Sequence, residues 1–94
     1  MSKELDPKLV DRLMKLKLVL DETMKFPGEY LFKFIVPLAQ VQNMTKILDG
    51  MEIEQKASSN GKYISVSAKV LMNKSDDIVA IYEKAAVIQG VISL

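Results

Sequence analysis

Apolar and polar residues along this chain change period several times, and each change marks an element. Leu9, Leu13, Leu16 and Leu20 follow one another at helical spacings. At 100° per residue they fall within about 60° of each other, a narrow stripe on one face of a helix. Lys8, Asp11, Arg12, Lys15 and Glu22 take the far side. Asp6-Pro7 supplies a capping carboxylate and a proline at the first helical position, so the helix is expected over about 7–23. Phe26-Pro27-Gly28 ends it.

From Glu29 the period becomes two. Tyr30, Phe32, Phe34 and Val36 alternate with Leu31, Lys33 and Ile35, and Pro37 closes this first strand. A second helix is expected from Leu38 to Asp49, with Val41, Met44, Ile47 and Leu48 inward and Gly50 as its stop. A strand over about Met51 to Ala57 follows. Asn60-Gly61 then signals a hairpin, because that dipeptide reaches positive φ cheaply. It leads into a long strand from Lys62 to about Met72. Ser75 is expected to cap a third helix, with Asp76 and Asp77 in its first turn and Ile78, Ile81, Tyr82 and Ala85 inward. Gly90 to Leu94 reads as a short last strand.

After the first helix the order is β-α-β-β-α-β, the split βαβ of the ferredoxin-like class. The expectation is an α+β fold, a four-stranded antiparallel sheet with two helices on one face and an additional N-terminal helix. The core face of the sheet collects Phe32, Phe34, Ile53, Ile64, Val66, Val70 and Met72.

Composition narrows the chemistry. The chain has no Cys, His or Trp, which removes disulfides, thiolate nucleophiles, imidazole bases and Cys/His zinc sites. Its 13 basic and 12 acidic side chains leave a net charge of +1, without the basic excess that phosphate neutralisation demands of a nucleic-acid binder. The opening Met-Ser-Lys-Glu-Leu-Asp-Pro has no apolar export region. The longest apolar run, Phe34 to Ala39, falls far short of the roughly 18 residues of a membrane span. A soluble cytoplasmic protein without cofactor or metal is expected.

The hairpin also carries a family resemblance. Ser58-Ser59-x-Gly61-x-Tyr63-x-Ser65-Val66, with Phe26-Pro27, Lys33, Tyr82 and the closing Val91-x-x-Leu94, resembles a small bacterial family of unknown function, the one typified by YbeD. The resemblance spans about 26–94 and implies a ferredoxin fold similar to ACT-type regulatory domains, with no established activity. Residues 1–25 then form an N-terminal helical extension, absent from shorter members, beside a domain over 26–94.

The second face of the sheet is the candidate site. Alternation gives it Leu31, Lys33 and Ile35, then Tyr63, Ser65, Ser67, Lys69 and Leu71, with Glu52, Glu54 and Lys56 near the edge. Such a half-apolar face is expected to be covered. The leucine stripe of the first helix is the favoured cover, within the chain or across a homodimer; a protein partner or small ligand docking on Lys33, Tyr63, Ser65, Ser67 and Lys69 is the other. The expected function is accordingly a non-catalytic regulatory or binding module.

The alternative is weak single-stranded RNA binding on the same face, although the strand offers only Tyr63 where a stacking platform needs two or three aromatics. Ile88-Gln89-Gly90-Val91 superficially matches the phosphate loop of acylphosphatases but lacks the arginine and helix that loop requires, the only arginine being Arg12. Asp76-Asp77 reads as helix-dipole compensation, Glu52 and Glu54 as charges that protect a sheet edge. Lys33 reads as a snorkelling lysine or as the ion-pair partner of Glu52 or Glu54.

Overall fold

A computed structural model describes residues 6–93. Helix α1 spans Pro7–Thr23, and its cap is the expected one: Asp6 Oδ1 accepts from the Lys8 backbone N–H at 2.9 Å. Strand β1 spans Gly28–Pro37. The second helical segment opens as a 3₁₀ turn over Leu38–Gln40 and continues as α2 over Val41–Ile47, with Met44 and Leu48 buried. Strands β2 (Glu52–Ala57) and β3 (Tyr63–Met72), helix α3 (Ser75–Ala85) and strand β4 (Ile92–Ser93) complete the chain. The last position of the expected terminal strand, Leu94, lies outside the described residues.

The strands form one antiparallel sheet in the order β2-β3-β1-β4, the ferredoxin-like βαββαβ arrangement. Phe32, Phe34, Val36, Val66, Ala68 and Met72 are buried beneath the helices. Ile53, Ile64 and Val70 pack against this core while half-buried, as befits positions toward the sheet's margins. Ile78, Ile81 and Ala85 of α3 close the core from above. Tyr30 and Tyr82 share a hydrogen bond of 2.8 Å between their hydroxyls at its border. Burial, and then that bond, hold the Tyr82 hydroxyl's pKa far above the ordinary tyrosine value.

Two expectations are corrected. First, α1 does not cover the open face of its own sheet. It packs beside α3 in the helical layer: Leu20 joins the core cluster, Leu16 and Met24 pack against it, and Leu13 is buried. A leucine stripe requires burial but carries no label for its partner, and the exposed edge of the helix–sheet core supplied one.

Second, Ser75 is not a helix cap. It is the first residue of α3, follows Lys74 in the cap position, and makes no capping bond. Its side chain turns to α1 instead and is 2% exposed.

The hairpin forms where Asn60-Gly61 signals it, between β2 and β3. Within the turn, Gly61 alone has positive φ, at 72°. The Ser58 carbonyl accepts from the Gly61 N–H at 3.0 Å, and Ser58 N–H donates to the Tyr63 carbonyl at 2.9 Å. Asn60 works through its side chain, accepting from Ser58 Oγ at 2.8 Å and from the Lys62 N–H at 3.0 Å.

Candidate functional site

The register of the sheet fixes the open face row by row. Lys56, Ser65 and Ile35 stand in one row across β2, β3 and β1, with Ile92 of β4 beside Ile35. The next row holds Glu54, Ser67 and Lys33, and the one after it Glu52, Lys69 and Leu31. All of these side chains belong to the parity opposite Phe32, Phe34 and Val66, so the alternation in the sequence assigns the face correctly.

The face is uncovered. Leu31 is 59% exposed, Leu71 61%, Ile92 50% and Tyr63 41%. Leu31 and Leu71 toward one end of the sheet, and Tyr63 and Ile92 toward the other, leave apolar surface facing water. Tyr63 is the sole aromatic among the strand residues of this face, because Tyr30, Phe32 and Phe34 point to the core side. Stacking two or three bases would need more.

The five candidate residues do not converge on one point. Lys33, Tyr63 and Ser65 line a hollow of about 380 Å³ at the hairpin end, together with Ile35, Lys56 and Ser58. Ser67 and Lys69 line a second hollow of about 450 Å³ with Leu31, Glu52 and Glu54. The face therefore carries a cationic, tyrosine-bearing end and a mixed-charge end.

Lys69 pairs with Glu29 at 3.4 Å, an exposed contact of small energetic weight. Lys33 is exposed and, among the described residues, makes no ion pair with Glu52 or Glu54. Its Cα lies across Ser67 from that of Glu54, about 10 Å away at two strand spacings. Of the two readings of Lys33, the ion pair with Glu52 or Glu54 is thus not made among the described residues.

A second polar cluster lies on the helical side and escaped the sequence reading. Ser75 Oγ donates to Asp21 Oδ1 at 2.5 Å and accepts from Lys17 Nζ at 3.0 Å. Lys17 also reaches Asp76 at 3.0 Å and Asp21 Oδ2 at 3.3 Å. A serine beside a lysine has the outline of a nucleophile and its base, but here the charges forbid it. Hydrogen bonding to Asp76, then to Asp21, raises the Lys17 pKa above its ordinary 10.5, so it stays protonated and cannot take a proton from Ser75. The Ser75 hydroxyl, and then Lys17, lower the Asp21 pKa. The cluster is a strut between α1 and α3. Only the i,i+4 spacing of Lys17 and Asp21 hinted at it, since Ser75 is 54 residues from Asp21.

Among the described residues, no group of three acidic side chains could hold a metal ion, and no helix is long and apolar enough to cross a membrane. Searches of curated proteins and of solved structures found no match to the chain. The profile of the family described as "Protein of unknown function (DUF493)" matches residues 21–94, and the chain belongs to that family.

Proposed function

We propose that this chain is a cytoplasmic, non-catalytic binding module whose open sheet face recognises a protein partner or a small ligand and so exerts regulation. The observation that carries this reading is the uncovered face itself: Leu31, Tyr63, Leu71 and Ile92 exposed among lysines, glutamates and serines. With α1 engaged by α3, the described chain contributes no cover of its own. Isolated apolar side chains on a surface are ordinary, but a patch rimmed by polar groups is the usual mark of an interaction site. The resemblance to the YbeD-type family and to ACT-type regulatory domains supports a regulatory role over residues 26–94, as an analogy of fold. A second copy of the chain, forming a homodimer, is one partner such a face could take.

The test is affinity capture of the tagged full chain from cytoplasm, with mass spectrometry of proteins and metabolites. It is run beside the double variant Leu31→Ser/Leu71→Ser, whose changes lie on the open face and leave the core untouched. The reading expects a captured species that the variant loses while keeping its fold. Capture by the variant equal to that of the natural chain would place recognition elsewhere.

A further inference from the structure

We infer that the hairpin-end hollow binds a small organic carboxylate with an aromatic or alicyclic body. This rests on the reading of the open face as a recognition surface and names what one part of it would take.

The hollow has two kinds of wall. Ile35, the ring of Tyr63 and the aliphatic stems of Lys33 and Lys56 make most of the lining apolar, while the ammonium groups that those stems carry and the Ser65 hydroxyl supply the polar part. At about 380 Å³ it lies near the small end of the range of about 300–1,000 Å³ typical of ligand clefts. Neither lysine has an ion-pair partner among the described residues, so both are available to an incoming anion. Lys33 lies diagonally from Lys56 across the Ser65–Ser67 segment of β3, so one anion above that segment lies within reach of both flexible stems.

The local charge selects among anions. Glu54 lines the adjoining hollow with Lys33, Lys56, Ser65 and Ser67, so two lysines and one glutamate leave a single positive charge there. That balance suits a monoanionic carboxylate; a phosphate dianion would meet the repulsion of Glu54 at half compensation. An apolar body is needed too, because the lysines are exposed and a charge–charge contact in water contributes little by itself.

The rim is already shaped. Ser58 Oγ donates to Asn60 Oδ1 at 2.8 Å and accepts from the Tyr63 N–H at 3.2 Å, fixing the loop residues that border the hollow. A ligand would therefore not have to order that loop, which removes one cost of binding.

The test is an NMR titration of the ¹⁵N-labelled full chain at low salt with 3-phenylpropionate. The matched probes are 3-phenylpropan-1-ol, acetate and phenyl phosphate. The expected result is saturable shifts confined to the amides of β1 around Lys33–Ile35 and of the 56–67 segment. Acetate and the alcohol should bind at least tenfold more weakly, since each lacks one half of the recognition.

The double variant Lys33→Gln/Lys56→Gln, and separately Ile35→Ser, should each weaken binding at least tenfold, with retention of fold read from the same spectra. Lys8→Gln/Lys15→Gln on the far side of α1 should leave it unchanged. Non-saturating shifts spread over exposed lysines would overturn the inference, as would undiminished binding by the Lys33/Lys56 variant. Tighter binding of phenyl phosphate than of the carboxylate would overturn the ligand class. Should the inference fail while the Leu31/Leu71 variant still loses its captured species, the recognition face stands and this occupant falls.

Discussion

The Ser75 hydroxyl donates to the Asp21 carboxylate at 2.5 Å, joining the first turn of α3 to the last turns of α1. Ser75 is 2% exposed, and its oxygen also accepts from Lys17. Losing a hydrogen bond to a charged group in such a place costs more than losing one between neutral groups. Ser75→Ala is expected to destabilise the fold by about 1–2 kcal/mol, read by urea denaturation. An unaltered midpoint would show that the strut contributes nothing to the docking of α1.

The same strut predicts a pH dependence. The folded pKa of Asp21 is depressed below its ordinary 3.8, so its contribution is fully present above that value. It is lost as pH falls from there through the folded pKa. Lys17 has the opposite sign: its folded pKa is raised above 10.5, so its contribution is present below that and is lost as pH climbs through the folded value. Asp21→Asn should lower the melting temperature at neutral pH and flatten the acid limb of the stability curve. A variant curve parallel to that of the natural chain down to pH 2 would contradict this linkage.

Helix α1 belongs to the core and not to the open face. Leu20→Ala is therefore expected to cost about 2–4 kcal/mol, as large-to-small changes in a packed core do. Deleting residues 1–25 should raise amide exchange in α3, where the helix packs. The exchange of Leu31, Ile35 and Leu71 should change much less. Exchange rising chiefly on those strand positions would mean that the helix caps the sheet after all.

Gly61 has φ of 72° and open space where a Cβ would stand. Gly61→Val should cost about 1–2 kcal/mol from backbone conformation alone, with no steric clash to relieve. Gly61→Asn, which tolerates the same region, should recover most of that loss. Thermal melts of both variants decide it, and equal losses would mean that conformation is not the cause.

The Tyr30–Tyr82 bond offers a check on the border of the core. Tyr82→Phe keeps the ring packed against Phe32 and Phe34 and removes only the hydroxyl. The expected cost is about 1 kcal/mol in chemical denaturation. A loss as large as that of Leu20→Ala would show that the ring itself had moved.

Much of the molecule was determined by sequence alone, and the reason is local. Alternation along β1 and β3 divides Phe32, Phe34 and Val66 from Leu31, Lys33 and Ser65, because successive side chains on a strand must point to opposite faces. That rule settles the parity of both faces before any partner is known. Capping at Asp6 and the inward stripe of α3 follow from equally local geometry.

Contacts between residues distant in the chain were settled by packing instead. The leucine stripe of α1 required burial, yet its period is the same whether it lies on the open face or beside α3. The choice was made by the exposed edge of the core near Leu20, and by Ser75 and Asp76 meeting Asp21 and Lys17. Likewise, the sequence put Lys33 and Lys69 on one face, while the strand register sent them to different hollows and set Lys56 near Lys33. Periodicity reports which way a side chain points; what it meets there depends on contacts that no local pattern encodes.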